Sequence, residues 1–249
     1  MDIAGWVIFG CAVAAGSYVQ SVAGFAMGMI VIAICGAQGA IAFPEVAATV
    51  SLISFTNIVV ALHGHVRQID RGFFSWLAAG QLPAIVLGFW LMTVLDQNAR
   101  WLLELLVGMF IACGSLWMMI RPQPLRTQSS ALACLAAGTS GGIFSGMFAA
   151  SGPVIGWFAY RQPMDIPVIR ATVLAYFALG TSTRSVIVSL DDGLTIQVLQ
   201  LTVAALPIVI LSSWIGKSFP PRVSDATLKR MVFSLLFVMG SVIIFRSMY

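Results

Sequence analysis

Two stretches of this chain are too long and too free of charge to be single helices of any ordinary protein. No charged residue occurs from Ile3 to Pro44, 42 residues, or from Thr127 to Tyr160, 34 residues. As one helix the first would measure about 63 Å at about 1.5 Å per residue, twice the bilayer's hydrocarbon thickness of about 30 Å. The rest of the chain agrees with a membrane setting. Hydrophobic residues make up 59% and charged residues 9%, and the mean hydropathy is +0.97. A soluble domain carries about 25% charged residues and needs them to cover its surface. The fold class expected is therefore all-α integral membrane, a polytopic helical bundle. The N-terminus, Met1-Asp2-Ile3, has no basic n-region, so the first apolar segment is expected to stay in the mature protein.

Single spans are expected near residues 46–62, 73–95, 101–120, 166–189, 194–216 and 231–247. The two overlong stretches carry glycine and polar interruptions. In the first these are Gly16-Ser17-Tyr18-Val19-Gln20-Ser21 and Gly24; in the second, Gly138-Thr139-Ser140-Gly141-Gly142, Ser145-Gly146 and Ser151-Gly152-Pro153. A break there turns each stretch into a hairpin of two short helices. The basic residues decide between hairpins and straight crossings. Straight crossings place Arg67, Arg71, Arg121, Arg126 and Arg246 on one side, against Arg100, Arg161, Lys217, Arg222, Lys229 and Arg230 on the other. Hairpins gather Arg67, Arg71, Arg121, Arg126, Arg161, Lys217, Arg222, Lys229 and Arg230 on one side and leave Arg100 and Arg246 on the other. The second division is what the positive-inside rule expects. It puts the basic loops in the cytoplasm and both termini outside.

The chain also matches itself. Pro44-Glu45-Val46-Ala47-Ala48-Thr49-Val50 aligns with Pro167-Val168-Ile169-Arg170-Ala171-Thr172-Val173 at an offset of 123, and Leu82–Trp90 with Leu206–Trp214 at 124. Gly114-Ser115 matches Gly240-Ser241 at 126. A duplication of residues 1–124 and 125–249 follows, each copy a broken-helix hairpin plus three transmembrane helices. Three is odd, so the copies insert with opposite orientation. Inverted repeats with broken helices at matching places mark secondary transporters, with a site near the midplane. Helix N-termini exposed at the breaks favour an anion.

Arg170 and Arg184 fall within one span, where a charge is costly unless it faces a cavity or a partner. They are 14 residues apart, about −40° on the helical wheel and about 21 Å along the axis, with Thr181 on the same face. They cannot grip one small ion together. The bland reading of Arg184 is snorkelling to the outer interface beside Asp191 and Asp192; that of Arg170 is an ion pair with Asp165 or Glu45. Gln20, Ser21 and Gly24 sit at the first break; Ser145, Gly146, Ser151 and Gly152 surround the second. Close helix packing is the bland reading of each glycine and serine, and a lining shared by two mirrored breaks is the functional one. Asn57 and Gln81 complete the candidate anion-binding set as hydrogen-bond donors. Pro83 and Pro207 are expected to kink their helices at equivalent places.

Other chemistry is poorly supported. His63 and His65 offer only two metal ligands in a basic loop. Ser145 in Gly142-Ile143-Phe144-Ser145-Gly146 resembles an intramembrane protease serine, but no histidine lies in any span to act as its base. Cys11, Cys35, Cys113 and Cys134 lack CxxC spacing and read as packing residues. The scattered bases form no nucleic-acid footprint. Neither an enzyme, a cofactor nor a metal is expected.

Gln20-Ser21-Val22-Ala23-Gly24-Phe25, Gly142–Pro153 and Arg170-Ala171-Thr172 carry a family likeness. Through them, and across nearly its whole length, the chain resembles the TauE/SafE family of sulfite exporters, also called the toluene-sulfonate uptake permease family. Many members are glycine-richer where this chain has Ala26-Met27-Gly28. The resemblance implies export of sulfite or a related small organosulfur anion across the bacterial inner membrane, coupled to protons or to the membrane potential. Residue spacing by itself reaches only an anion-handling, inverted-repeat transporter. An organosulfonate or carboxylate transporter and an anion channel are the alternatives. Neither the coupling ion nor the oligomeric state is legible.

Overall fold

The computed structural model describes residues 3–39, 41–119, 124–219 and 225–248, with the side chains of residues 23 and 225–230 left aside. It contains ten α-helices: α1 Ile3–Ala23, α2 Met27–Gln38, α3 Phe43–Leu62, α4 Arg71–Asn98, α5 Arg100–Met119, α6 Ala131–Phe148, α7 Gly152–Tyr160, α8 Ile166–Leu190, α9 Ile196–Ser218 and α10 Asp225–Met248. Eight are long and apolar enough to cross a membrane. The other two, α2 with 12 residues and α7 with 9, reach only about 18 Å and about 14 Å and cannot cross alone.

Local chemistry sets the helix starts. Asp70, Ser130 and Thr195 accept hydrogen bonds from the backbone N–H groups of Phe73, Ala133 and Val198, at 2.8, 3.3 and 3.2 Å, as N-caps do. Pro44, Pro153 and Pro167 stand in the first turns of α3, α7 and α8, where the missing N–H has no intrahelical partner to lose. Pro83 and Pro207 lie inside the uninterrupted helices α4 and α9.

Both overlong stretches are hairpins. In the second, the ends return together: Leu125 N–H donates to the Arg161 carbonyl at 2.7 Å, and Ser129 and Gln162 exchange two further bonds. In the first, α1 runs beside α9, Gly10 facing Ile208 and Tyr18 donating to the Phe219 carbonyl. From the turn at Gly24–Ala26, α2 returns to the end where Arg246 donates to the Ala37 carbonyl. The breaks fall at the later of the interruptions, Gly24 and Ser151-Gly152. α1 passes unbroken through residues 16–21, and α6 through 138–142. The glycines of the second segment serve packing instead: a Cβ on Gly138 would collide with the Leu77 carbonyl, and one on Gly142 would lie 2.7 Å from that of Gln81. α4 and α6 therefore touch backbone to backbone.

The basic residues separate by end. Arg161 lies beside the 124–130 segment through the Leu125 bond, and Lys217 donates to the His63 carbonyl, next to the 63–72 loop. Arg100 and Arg246 share a small cavity at the opposite end. Arg121 and Arg222 lie outside the described residues, as do the side chains of Lys229 and Arg230. The surface between the two ends is apolar, with Trp76, Trp90, Trp101, Trp117 and Trp214 exposed, while polar side chains such as Thr49, Asn57 and Gln81 are fully buried. This inversion of a soluble protein's pattern fits a lipid solvent.

Candidate functional site

The two hairpin breaks meet in the middle of the bundle. Each is made by an alanine in the left-handed region, Ala26 at φ 96° and Ala149 at φ 51°, a conformation that costs a side-chain-bearing residue about 1–2 kcal/mol. Ala26 stands where glycine would carry no such strain, and Gly24, at φ 84°, shares the turn. A Cβ on Gly28 would lie 2.7 Å from the Ala149 carbonyl oxygen, so only glycine allows the two breaks to approach this closely.

Between them lies a cavity of about 30 Å³, whose polar walls are Gln20, Ser54, Ser145, Ser151, Gly152 and Thr181. The first turns of α2 and α7 face it through Gly28 and Gly152. These turns carry N–H groups without intrahelical acceptors and the positive end of each helix dipole. The side-chain Oε1 of Gln20 accepts one of them, Met27 N–H, at 3.1 Å. Ser151 sits at the N-cap of α7 without capping it. Ser145 and Ser151 are 6% and 3% exposed, and neither hydroxyl is engaged by a protein group among the described residues. The cavity wall thus presents free donors.

A second, larger cavity of about 550 Å³ opens at the basic end, lined by Ser21, Arg170, His65, Gln68, Lys217 and apolar residues including Val22, Ile166 and Leu174. Arg170 is one turn into α8, and its side chain lies against Gly24: a Cβ there would be 3.3 Å from Arg170 Cγ. Its Nε is buried and unpaired. Neither Asp165 nor Glu45 pairs with it; Glu45 instead accepts from Thr195 at 3.2 Å. The ion pair found among the described residues is the exposed Arg100–Glu104 contact at 3.3 Å.

Arg184 is placed differently from the snorkelling expectation. It is 0% exposed. Its Nε donates to the Gly146 carbonyl at 2.9 Å, its Nη1 to the Ala47 carbonyl and Ser51 hydroxyl at 2.7 Å each, and its Nη2 faces Met92 Sδ at 3.4 Å. Asp191 and Asp192 do not engage it. The reason is the break itself: α6 ends at Phe148, so the Gly146 carbonyl belongs to the last turn and is free to accept, at the negative end of the helix dipole.

The remaining candidates divide. Gln20, Ser145, Ser151, Gly152 and Thr181 line the central cavity, while Ser21 and Arg170 line the basic-end cavity with Gly24 beside them. Gly146 is taken up by Arg184. Asn57 ties α1 to α9, donating to the Ser17 carbonyl at 3.1 Å and the Ser213 hydroxyl at 2.6 Å. Gln81 donates to the Tyr176 carbonyl at 3.1 Å, and a Cβ on its neighbour Gly180 would lie 3.1 Å from Ser145 Oγ. Ser54 and Gly28 belong to the central wall and were not singled out from sequence. Their signals were a mid-span hydroxyl three residues before Asn57 and a glycine four after Gly24.

The Probable sulfite/organosulfonate exporter TauE of Cupriavidus necator is 35% identical over 227 residues, covering 91% of this chain and 89% of that protein. No solved structure matches. The family described as Sulfite exporter TauE/SafE matches residues 8–243, so the chain belongs to the TauE/SafE sulfite exporter family, a family of membrane transport proteins rather than enzymes.

Proposed function

We propose that this protein exports a small sulfur oxyanion, foremost sulfite, across the bacterial inner membrane by alternating access at a site between the two hairpins. The observation that carries this reading is Arg170: a cation without a protein partner among the described residues, on the wall of a cavity of about 550 Å³ and with its side chain against Gly24 of the first break. Such a charge in a partly desolvated setting attracts an anion strongly.

Residues 1–124 and 125–249 are read as two oppositely inserted copies. Three observations support this. Long helix, half-helix and three long helices follow one another twice. The packing is paired, with α1 on α9 and α6 on α4. The left-handed alanines at 26 and 149 are separated by the same 123 residues as Pro44 and Pro167. By the positive-inside rule the basic end is cytoplasmic and both termini periplasmic. The larger cavity is then a cytoplasmic vestibule, and the protein is open inward. Sulfite enters, meets Arg170, passes to the donors of Gln20, Ser145 and Ser151, and leaves outward when one repeat rocks against the other. Each negative charge moved out of a negative interior is favoured by about 2.3 kcal/mol per 100 mV, so the membrane potential suffices as a driving force and proton coupling is optional. The apolar vestibule walls, Val22, Ile166 and Leu174, favour an organosulfonate as a second substrate. Sulfite flux from proteoliposomes tests the reading: wild type transports, and Arg170→Ala falls at least tenfold. Equal flux in the two would remove Arg170 from the pathway.

A further inference from the structure

The central cavity differs from its vestibule in charge. None of its lining residues is ionisable; Gln20, Ser54, Ser145, Ser151 and Thr181 offer neutral hydrogen bonds, and the rest of the wall is apolar or backbone. Along α8 the nearest fixed charge is Arg184, three residues beyond Thr181 and so about 4.5 Å further along the axis. Its guanidinium is buried, bonded to carbonyls and hydroxyl, and balanced by no carboxylate among the described residues. Arg170 is eleven residues from Thr181 in the other direction, about 16 Å of rise; its side chain reaches back to Gly24 at the first break, but it opens on the larger cavity, where water and salt screen it.

One unscreened positive charge therefore stands beside a neutral, water-poor site. Desolvation penalty grows with the square of the ion's charge, so a dianion pays about four times what a monoanion pays. Its attraction to a single guanidinium only doubles. The balance turns against the dianion as soon as it leaves the vestibule. Size works in the same direction. About 30 Å³ admits about two waters, so a guest keeps little of its hydration shell and parts the hairpin tips on entry.

We infer that the central site accepts a monoanion: hydrogensulfite or a singly charged sulfonate, and neither sulfite dianion nor sulfate. This rests on the transport reading above and sharpens it. Hydrogensulfite brings its own proton, so no carboxylate within the spans is needed to carry one. Each turnover moves one negative charge.

Sulfite and hydrogensulfite interconvert near neutral pH, which makes the test direct. Wild-type proteoliposomes are loaded with constant total sulfite and assayed across two pH units centred on that interconversion. The leak of protein-free vesicles, which carries sulfur dioxide, is subtracted. Methanesulfonate and sulfate are added as competitors, being monoanion and dianion throughout. The expected result is a flux rising about tenfold as the pH falls, one charge moved per sulfite, and competition from methanesulfonate only. A flux independent of pH, a flux that rises with pH, or equal competition from sulfate would overturn the inference while leaving export intact. No sulfite flux at any pH would overturn the transport reading and this inference with it.

Discussion

Arg170 and Arg184 share a helix, a side chain and a membrane setting, yet they do opposite work. Arg184 spends its donors on Gly146, Ala47 and Ser51 and is sealed from solvent. Arg170 has no acceptor among the described residues and faces a cavity. What separates them is what their donors meet. α6 stops at Phe148 and so frees its last-turn carbonyls, and Arg184 donates to that of Gly146. α1 likewise ends at Ala23, beside the Gly24 that lies against Arg170, yet no hydrogen bond from Arg170 to those carbonyls is found among the described residues, and its side chain lines the cavity instead. A helix end beside an arginine is therefore not enough to make it a clamp. Arg184 holds the tip of the second hairpin to α3 and α8, and Arg170, the proposed binding group, lies against the first.

The comparison breaks most severely at Arg184. Lysine there keeps the charge, but a point-like ammonium cannot reach carbonyls on α3 and α6 at once. Arg184→Lys is expected to lower stability by about 3–5 kcal/mol, as for a buried charge stripped of its partners, read as a fall in thermal midpoint and in folded yield. Arg184→Met removes the charge and leaves only its acceptors unpaired, a smaller loss of about 1–3 kcal/mol. If the lysine variant matched wild type, the clamp would not depend on guanidinium geometry. Next comes the α4–α6 seam that presents Gly146 to Arg184. In Gly138→Val the new side chain meets the Leu77 carbonyl, and overpacking is expected to cost about 1–3 kcal/mol in the same thermal assay. An unchanged midpoint would mean that the two helices separate freely.

The sequence found both arginines and gave them different readings, but it did not foresee that Arg184 is sealed by carbonyls and a hydroxyl. Charge spacing was enough to choose hairpins over straight crossings, and the glycine and polar interruptions placed Gln20, Gly24, Ser145, Ser151 and Gly152 near the breaks. They did not single out the turn residues. The segments 16–21 and 138–142 also read as interruptions, but a helix tolerates glycine and serine where backbones pack closely. The serines there fold their hydroxyls onto the preceding turn, Ser21 to the Ser17 carbonyl and Ser140 to that of Ala136, both at 2.9 Å. The chain turns instead at Ala26 and Ala149. Alanine is the best helix former, so no local rule marks it as a left-handed turn; contact between the two hairpins imposes that conformation. For the same reason the fate of Arg184 was hidden. Its acceptor at Gly146 exists only because α6 ends two residues later.

That account predicts a modest effect at the turn. Ala149→Gly relieves a left-handed alanine, worth about 1–2 kcal/mol, and adds back the chain entropy of glycine, about 0.5–1 kcal/mol. The expected outcome is a slight rise in thermal midpoint. A clear fall would show that the Ala149 methyl group is needed to pack the break.

The smallest effect on stability belongs to Arg170, and it sharpens the comparison most. A side chain with no protein acceptor has no native bond to lose, so Arg170→Ala is expected to melt within about 0.5 kcal/mol of wild type even as its flux collapses. Ligand-linked stability should then separate the two proteins. A ligand at one hundred times its Kd adds about 2.7 kcal/mol to the state that binds it, so sulfite should raise the midpoint of wild type. It should do little for Arg170→Ala. If Arg170→Ala melted as far below wild type as Arg184→Lys, Arg170 would be a clamp as well. The two arginines would then differ in position alone, and the anion pathway would have to rest on the neutral donors of the central cavity.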